Sequence, residues 1–344
     1  MNNLFLKLSC NELLPKHQFN GIDIVKFICA FMVCMIHIQP FNVEAIGIQS
    51  LSYLNFGLKQ YLCRIAVPFY FTAAGFLLFR KADDFFLCKN TIKEYCFKIL
   101  RLLGTWTFLL FVGGSSQLWY LGALVLAVVI LNFLIKKRLS MRFIAIISLT
   151  LFGIGLLGDS YHGIIEPLKS YFIPKLFVEG YETIFSTTRN GLFFGLVFVF
   201  LGALFAQKHI VINHIVVIIG LIVSLAIMFV EVFLLKYYSQ PKDFNMIASL
   251  LPVTFFLFYI ATHLSLKDRP IYCSLRIIGM MIFFTHLFVN YFVGLAIEIT
   301  KNKIGIDFSA FRFIITIVFT TLLAILIERL SKKEKFSWLK YLYS

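Results

Sequence analysis

Charge is scarce in this sequence. Only 14% of its 344 residues are Asp, Glu, Lys or Arg, while 60% are hydrophobic. A soluble domain carries about a quarter charged residues, so a soluble globular fold is excluded. Paired cysteines are also missing. The seven cysteines (Cys10, Cys29, Cys34, Cys63, Cys88, Cys96, Cys273) are odd in number and include no C-x-x-C. That argues against a disulfide framework or a zinc centre and leaves them as small apolar packing residues. The sequence shows no nucleic-acid-binding motif, no clear internal repeat and no second soluble domain.

What is present is long apolar runs. About 20 apolar residues cross a bilayer as a helix, and ten helices are predicted, at 22–40, 61–79, 97–112, 118–135, 142–158, 191–207, 210–235, 246–264, 275–298 and 310–330. The expected fold is therefore an all-α, polytopic membrane protein with about ten transmembrane helices. The first run follows some twenty mostly polar residues and exceeds a signal-peptide core, so it reads as a retained span. The net charge of +15 matches the excess of Lys and Arg that cytoplasmic loops carry. Lys7, Lys16, Arg80, Lys81, Lys98, Arg101, Lys136, Lys137, Arg138, Arg142, Lys208, Arg276 and the basic tail all fall inside if both termini are cytoplasmic. Three parts are expected: a cytoplasmic segment 1–21, a membrane domain 22–330 with a long outer loop 159–190, and a basic cytoplasmic tail 331–344.

The polar residues within the runs are the candidates for function, because a charge at the membrane centre costs at least about 2.5–3.5 kcal/mol. "DIVKFICAFMVCMIHI" (23–38) carries Asp23, Lys26 and His37. Lys26 and His37 are eleven residues apart, close to three turns, and share a helix face; Asp23 and Lys26 are spaced to pair. Interfacial anchoring of Asp23 and Lys26 and simple packing of His37 are the bland alternatives. "RIAVPFYFTAAGF" (64–76) places Arg64 before Pro68 and Gly75, and "SLRIIGMMIFFTHLF" (274–288) places His286 about 15 Å in from its inner end. Histidine suits proton transfer near neutral pH. "GDS" at 158–160 imitates a hydrolase serine motif, but the loop is too short for that domain. His162 and Glu166, four apart, form an equally thin metal motif, and no metal is expected.

These blocks, with "KILR" (98–101), "QLWYLGAL" (117–124) and "TRNGLFFGLVFVFLGALFA" (188–206), occur in an order that resembles the membrane-bound acyltransferase family 3 from about residue 20 to 330. The Arg-Asn-Gly-Phe-Phe block and the "GDSYHG" loop look most similar to the branch containing the membrane domain of vancomycin-resistance serine racemases, without its soluble racemase domain. The resemblance implies a bacterial cell-membrane O-acyltransferase. It would take an acyl, usually acetyl, group from cytoplasmic acetyl-CoA to a hydroxyl of an envelope glycan or similar acceptor at the outer face. It implies that His37 is the first-helix histidine, with Lys26 where Arg is common, and that Arg64 is the second-helix arginine. Lys98 and Arg101 match the basic pair of the third helix, and Ala74 replaces a common Ser. Asp23, Trp119, Arg189 and Asn190 belong to its substrate or structural motifs. On this reading His37, Arg64 and His286 are catalytic and Lys26, Lys98 and Arg101 hold the CoA. The partners are the glycan acceptor and the lipid bilayer, with no nucleic acid. A transporter of a small polar substrate such as serine, or a non-catalytic membrane partner, uses the same polar groups differently.

The charge bias predicts that Lys137 and the C-terminus are cytoplasmic and Tyr171 is outside. In a cysteine-free background, a Cys at position 171 should react with an impermeant maleimide from outside, and one at 137 only after permeabilisation. Outer labelling at 137 breaks this topology.

Overall fold

The computed structural model describes residues 19–41, 49–80, 89–111, 116–185, 187–239, 241–304 and 309–343. The predicted N-terminal segment through residue 18, the basic stretch 81–88 and residues 112–115 of the predicted turn lie outside them. Regular structure among the described residues is helical throughout: α1 Asn20–Ile38, α2 Gln49–Gly57, α3 Ala66–Phe79, α4 Lys89–Leu109, α5 Trp119–Lys136, α6 Met141–Leu157, α7 His162–Ile165, α8 Phe172–Ile184, α9 Leu196–Gln207, α10 His214–Tyr238, α11 Leu250–His263, α12 Pro270–Ile304 and α13 Ser309–Leu330.

Each of the ten predicted segments overlaps a helix. Length and apolarity sufficient to cross a membrane hold for six among the described residues: Asn20–Ile38, Ser52–Phe79, Ser116–Lys136, His214–Tyr238, Pro270–Ile299 and Ser309–Leu330. A seventh, Met141–Leu157, qualifies together with His162–Ser170 across a 78° bend, while Gly191–Gln207 and Leu250–His263 are shorter apolar helices. The lipid-facing character is plain on α10, where Ile215, Ile218, Ile219, Ile222 and Ile227 are all more than half exposed. Such a surface is stable only against acyl chains. The chain is a multi-pass membrane protein.

Two compact units make up the chain. The first comprises Met1–Asn55, Gly104–Gln117 and Tyr259–Ser344. In it α1 and α12 run parallel, because Asp23 meets Arg276 at one end and His37 meets His286 at the other. α13 runs antiparallel to both: Ser274 of α12 reaches Glu328, and Ser309 reaches the Pro40 carbonyl beyond α1. α1 stops where Gln39 adopts a left-handed conformation (φ 50°) ahead of Pro40, which cannot extend a helix.

The second unit comprises Phe56–Leu103 and Leu118–Phe258. Its centre is the packing of α3 on α9. A Cβ at Gly75 would collide with the Val199 carbonyl, and one at Gly202 with the Thr72 carbonyl, so two bare glycines let the backbones close together as small residues do in membranes. Phe69, Phe71, Phe194, Phe198 and Phe258 fill the space around them and are fully buried. Pro68 offers no N–H to the carbonyl four residues back and its ring crowds that carbonyl. The chain accommodates this with a π-turn over Leu58–Leu62 and a 3₁₀ turn over Cys63–Ile65. The helix accordingly begins well before residue 61, and Arg64 sits inside it, 8% exposed, instead of snorkelling from an end.

The loop expected over 159–190 is largely helical. α7, a 3₁₀ turn over Glu166–Ser170 and α8 occupy it. α8 leaves Phe172, Ile173, Leu176, Phe177 and Ile184 at least two-thirds exposed while Glu182 faces the chain. Its phenylalanines lie on the exposed face of an amphipathic helix within that long segment.

Gly202→Val should lower the unfolding temperature in detergent far more than Gly122→Val. The first side chain meets backbone at once, whereas nothing lies within 4 Å of a Cβ at Gly122. Overpacking of this kind costs about 1–3 kcal/mol. Equal melting temperatures for the two variants would contradict the close α3–α9 contact.

Candidate functional site

In the first unit the sequence places a carboxylate, a lysine and a histidine along α1, and the structure gives each a setting. Asp23, 6% exposed, accepts from Arg276 through both oxygens, at 3.0 Å from Nε and 2.9 Å from Nη2. This is the bidentate fork that arginine alone offers. The carboxylate that the spacing brings near Lys26 thus also forms a lock between α1 and α12. Asn20, also buried, donates to Asp268 at 2.8 Å and strengthens the same end.

At the other end the rings of His37 and His286 stack obliquely, with centroids 5.3 Å apart and planes at 41°. His286 is fully buried. Its Nδ1 lies 2.9 Å from the Phe283 carbonyl and 3.2 Å from that of Ile282. Carbonyl oxygens only accept, so Nδ1 carries the proton and donates, and Nε2 is left as a bare lone pair. That Nε2 has no hydrogen-bond partner among the described residues. A buried acceptor left without a donor costs about 1–3 kcal/mol, which makes this Nε2 a candidate position for a ligand's donor.

One neighbour entered the sequence reading only as the first residue of the "QLWYLGAL" block, with no role given to it. Gln117, 1% exposed, donates through Nε2 to the Phe284 carbonyl at 3.1 Å, and its Oε1 is a second buried acceptor with no partner among the described residues. A single glutamine ahead of "LWYL" carries no chemical signal in sequence. Trp106 stacks on Phe284 at 4.7 Å with planes only 9° apart, and its indole N–H donates to the Leu342 carbonyl. The turn that carries His286 is therefore braced from α4 and from the C-terminal segment.

In the second unit Arg64 is the hub. It donates to Gln60 through Nε at 2.8 Å and again through Nη2, to Asn245 Oδ1 through Nη1, and to Asp243 through Nη2 at 3.1 Å. Arg189 donates to the same Asn245 oxygen at 3.2 Å and lies over the Trp119 ring, 4.7 Å from its centroid. Asn190 accepts from the backbone N–H groups of Leu192 and Phe193 and so starts the helix that becomes α9. Asp159 of the "GDS" turn is buried and accepts from Ser160 and from the backbone N–H groups of Asn245 and Met246. It is a structural clasp. Lys98 and Arg101 stand three apart on α4, both exposed on one face. The structure thus joins His37 to His286, Arg64 to Arg189, and Arg189 to Trp119. Lys26 lies on α1 in the first unit, and Lys98 and Arg101 lie in the second.

His162, Glu166 and Glu182 come within reach of a shared cation, their ligand atoms all within 4.8 Å of one another. Lysine charges already occupy the carboxylates: Lys169 bridges Glu166 and Glu182 at 2.9 and 3.0 Å, and Lys242 joins Glu182. The cluster is an ion-pair knot that ties α8 to the turn before it. The Lys242 ammonium foremost, then Lys169 and His162, hold the Glu182 carboxyl down at about 2 against the opposing effect of burial.

A family model described as an acyltransferase domain matches residues 19–329. Among curated proteins the chain is similar to an amino-acid racemase of Enterococcus faecalis, 30% identical over 278 residues, covering 73% of this chain and 37% of the relative. It is also similar to a serine/alanine racemase of Enterococcus gallinarum, 27% identical over 270 residues, covering 69% and 36%. The chain spans little more than a third of the length of these relatives. No solved structure matches it.

Because the Glu182 carboxyl is held far below its ordinary 4.5, its charge stabilises the fold fully above about pH 4.5, and that contribution is lost as pH falls toward about 2. Hydrogen exchange over residues 172–184 should therefore be slower in the wild type than in Glu182→Gln at pH 6, with the difference closing as the pH approaches 2. A difference that persists there would show that the knot holds by packing instead.

Proposed function

The chain belongs to the acyltransferase 3 family, and from that membership we propose that it is a membrane O-acetyltransferase. It would carry an acetyl group from cytoplasmic acetyl-CoA to a hydroxyl of an envelope glycan at the outer face, with both termini cytoplasmic. The observation that carries this reading is the His37–His286 pair, with a bare Nε2 at its buried member. Two imidazoles in contact deep in a membrane protein serve proton transfer better than packing, because burying an unpaired acceptor is unfavourable.

The donor supplies a thioester carbonyl carbon open to attack. His37 takes the acceptor's hydroxyl proton as the new C–O bond forms and the C–S bond breaks, and His286 Nε2 is the next base along. The released thiolate of CoA takes up a proton, so the exchange balances as thioester plus alcohol to ester plus thiol. The family resemblance implies that Lys26 of the first unit, and Lys98 and Arg101 of the second, meet the phosphates of CoA, which charged donors bind strongly. For Arg64, in the second unit, the family resemblance implies stabilisation of the tetrahedral oxyanion. Of the groups its guanidinium bonds, Gln60 and Asn245 are neutral and only Asp243 is a carboxylate.

The names of the relatives concern amino acids, which favours one second reading, transport of a small polar substrate such as serine along the same polar groups. Purified protein in nanodiscs should release thiol from acetyl-CoA when a hydroxyl acceptor is supplied. Loss of a general base costs about 10²–10⁴ in rate, so a well-folded His37→Gln variant should fall by that factor while still binding acetyl-CoA. Robust transfer by His37→Gln would remove the histidine from the chemistry, and serine uptake into proteoliposomes without CoA would favour the transporter.

A further inference from the structure

Beyond His286, the same face of α12 continues outward through Asn290 and Gly294, each four residues on. Exposure rises along it: His286 is fully buried, Asn290 and Gly294 are half-buried, and Glu298 is exposed. Arg312 of α13 lies across this face. Its Nε donates to Asn290 Oδ1 at 2.8 Å and its Nη2 to the Asn290 carbonyl at 3.2 Å. Gly294 makes room for it, since a Cβ there would meet Arg312 Nη2 at 2.7 Å and Cζ at 3.1 Å.

The partners of this guanidinium are thus neutral. No carboxylate lies within ion-pair distance of Arg312 among the described residues, in contrast to Arg276 and Arg64, each of which has one. A half-buried cation with only neutral partners is costly to hold in a membrane protein. Asn290 gives up its oxygen to Arg312 and keeps its Nδ2 hydrogens as donors beside the remaining Nη1 hydrogens. The depth is fixed from two directions. Asn290 is one turn, about 5.4 Å, outward from His286. Arg312 is one turn inward from Ser309, which bonds the Pro40 carbonyl three residues beyond His37.

We propose that Arg312 and Asn290 form a carboxylate subsite, which receives an acceptor bearing a carboxylate about one helical turn from the hydroxyl presented to His37 and His286. The assignment rests on the acyltransferase reading for what happens to that hydroxyl, but the binding itself does not. The planar fork of arginine suits a carboxylate, and the rising exposure gives a small hydroxy acid a route in. The ligand class is therefore a hydroxyl compound with a nearby carboxylate, such as an acidic sugar or a hydroxy amino acid.

Full-length protein in nanodiscs is titrated calorimetrically with D-glucuronate and L-serine, and with D-glucuronamide and L-serinamide as uncharged counterparts at the carboxyl. At least one acid should bind more tightly than its amide. Arg312→Gln should weaken that acid by about 10- to 100-fold, the worth of a charge-assisted contact. Asn290→Asp keeps the arginine but gives it an internal carboxylate, so it should fold as well as the wild type and weaken the acid equally. Arg312→Lys should recover only part of the affinity. Glucuronate or serine preference decides whether the carboxylate belongs to a sugar or an amino acid. Equal binding of acid and amide, no binding of either acid, or unchanged affinity in Asn290→Asp would overturn the subsite. Intact carboxylate binding without thiol release from acetyl-CoA would instead leave the subsite standing and overturn the acyltransferase reading.

Discussion

The geometry of the first unit depends on one ion pair. Asp23 and Arg276 lock α1 to α12, and helices are stiff enough for a lock at one end to set the register at the other. His37 lies fourteen residues beyond Asp23, about 21 Å along α1; His286 lies ten residues beyond Arg276, about 15 Å along α12. The difference is about one helical turn, and the long Arg276 side chain spans it. Moving either partner by a turn would separate the two imidazoles. The pair is also suited to its place. Asp23 is buried and receives both arms of the guanidinium, so most of its desolvation is offset by charge-assisted hydrogen bonds.

The low dielectric of the bilayer explains much else. A polar group there must find a partner within the protein, and two carboxylates of the second unit do so, although Ser249 and Thr254 of that unit have buried hydroxyls with no partner among the described residues. Glu231 of α10 accepts from the Tyr161 hydroxyl and from the backbone N–H groups of Ala248 and Ser249, so it caps the start of α11 from a neighbouring helix. Asp159 performs the same service for Asn245 and Met246. Against that background the exceptions carry information. His286 Nε2 and Gln117 Oε1 are buried acceptors without donors, and both are anchored on the same stretch of α12, residues 282–284.

The sequence made the membrane class and the helices legible because apolar runs have a strong, local signature. Family membership was legible from ordered blocks. His37 and His286 stood out because an imidazole within an apolar run is conspicuous, although their contact is between residues far apart in the chain and no periodicity reports it. Gln117 was legible only as part of a block, since its contact with the Phe284 carbonyl joins residues far apart in the chain. Arg312 has no mark in sequence, and only the neighbours it finds in the fold distinguish it. The pairing of Asp23 with Arg276 is the same lesson: local spacing points to a neighbour on the same helix, while tertiary packing adds a partner 253 residues away. Crossing number is the least legible property, because the short helices α9 and α11 and the charged helix α4 are helical without being long and apolar enough to settle their depth.

The length of α12 fits the division of labour along it. Thirty-five residues extend about 52 Å, well beyond the roughly 30 Å of hydrocarbon. The excess is not needed for crossing. It carries one face continuously from the lock at Arg276, through the buried His286, to Asn290 and Gly294, where burial decreases. A helix that ended at the membrane boundary could hold the lock and the imidazole but could not extend the same face toward the surface. Along this rod the charge pair at Arg276 comes first, the buried imidazole of His286 follows, and one turn further along the Arg312 guanidinium lies on Asn290.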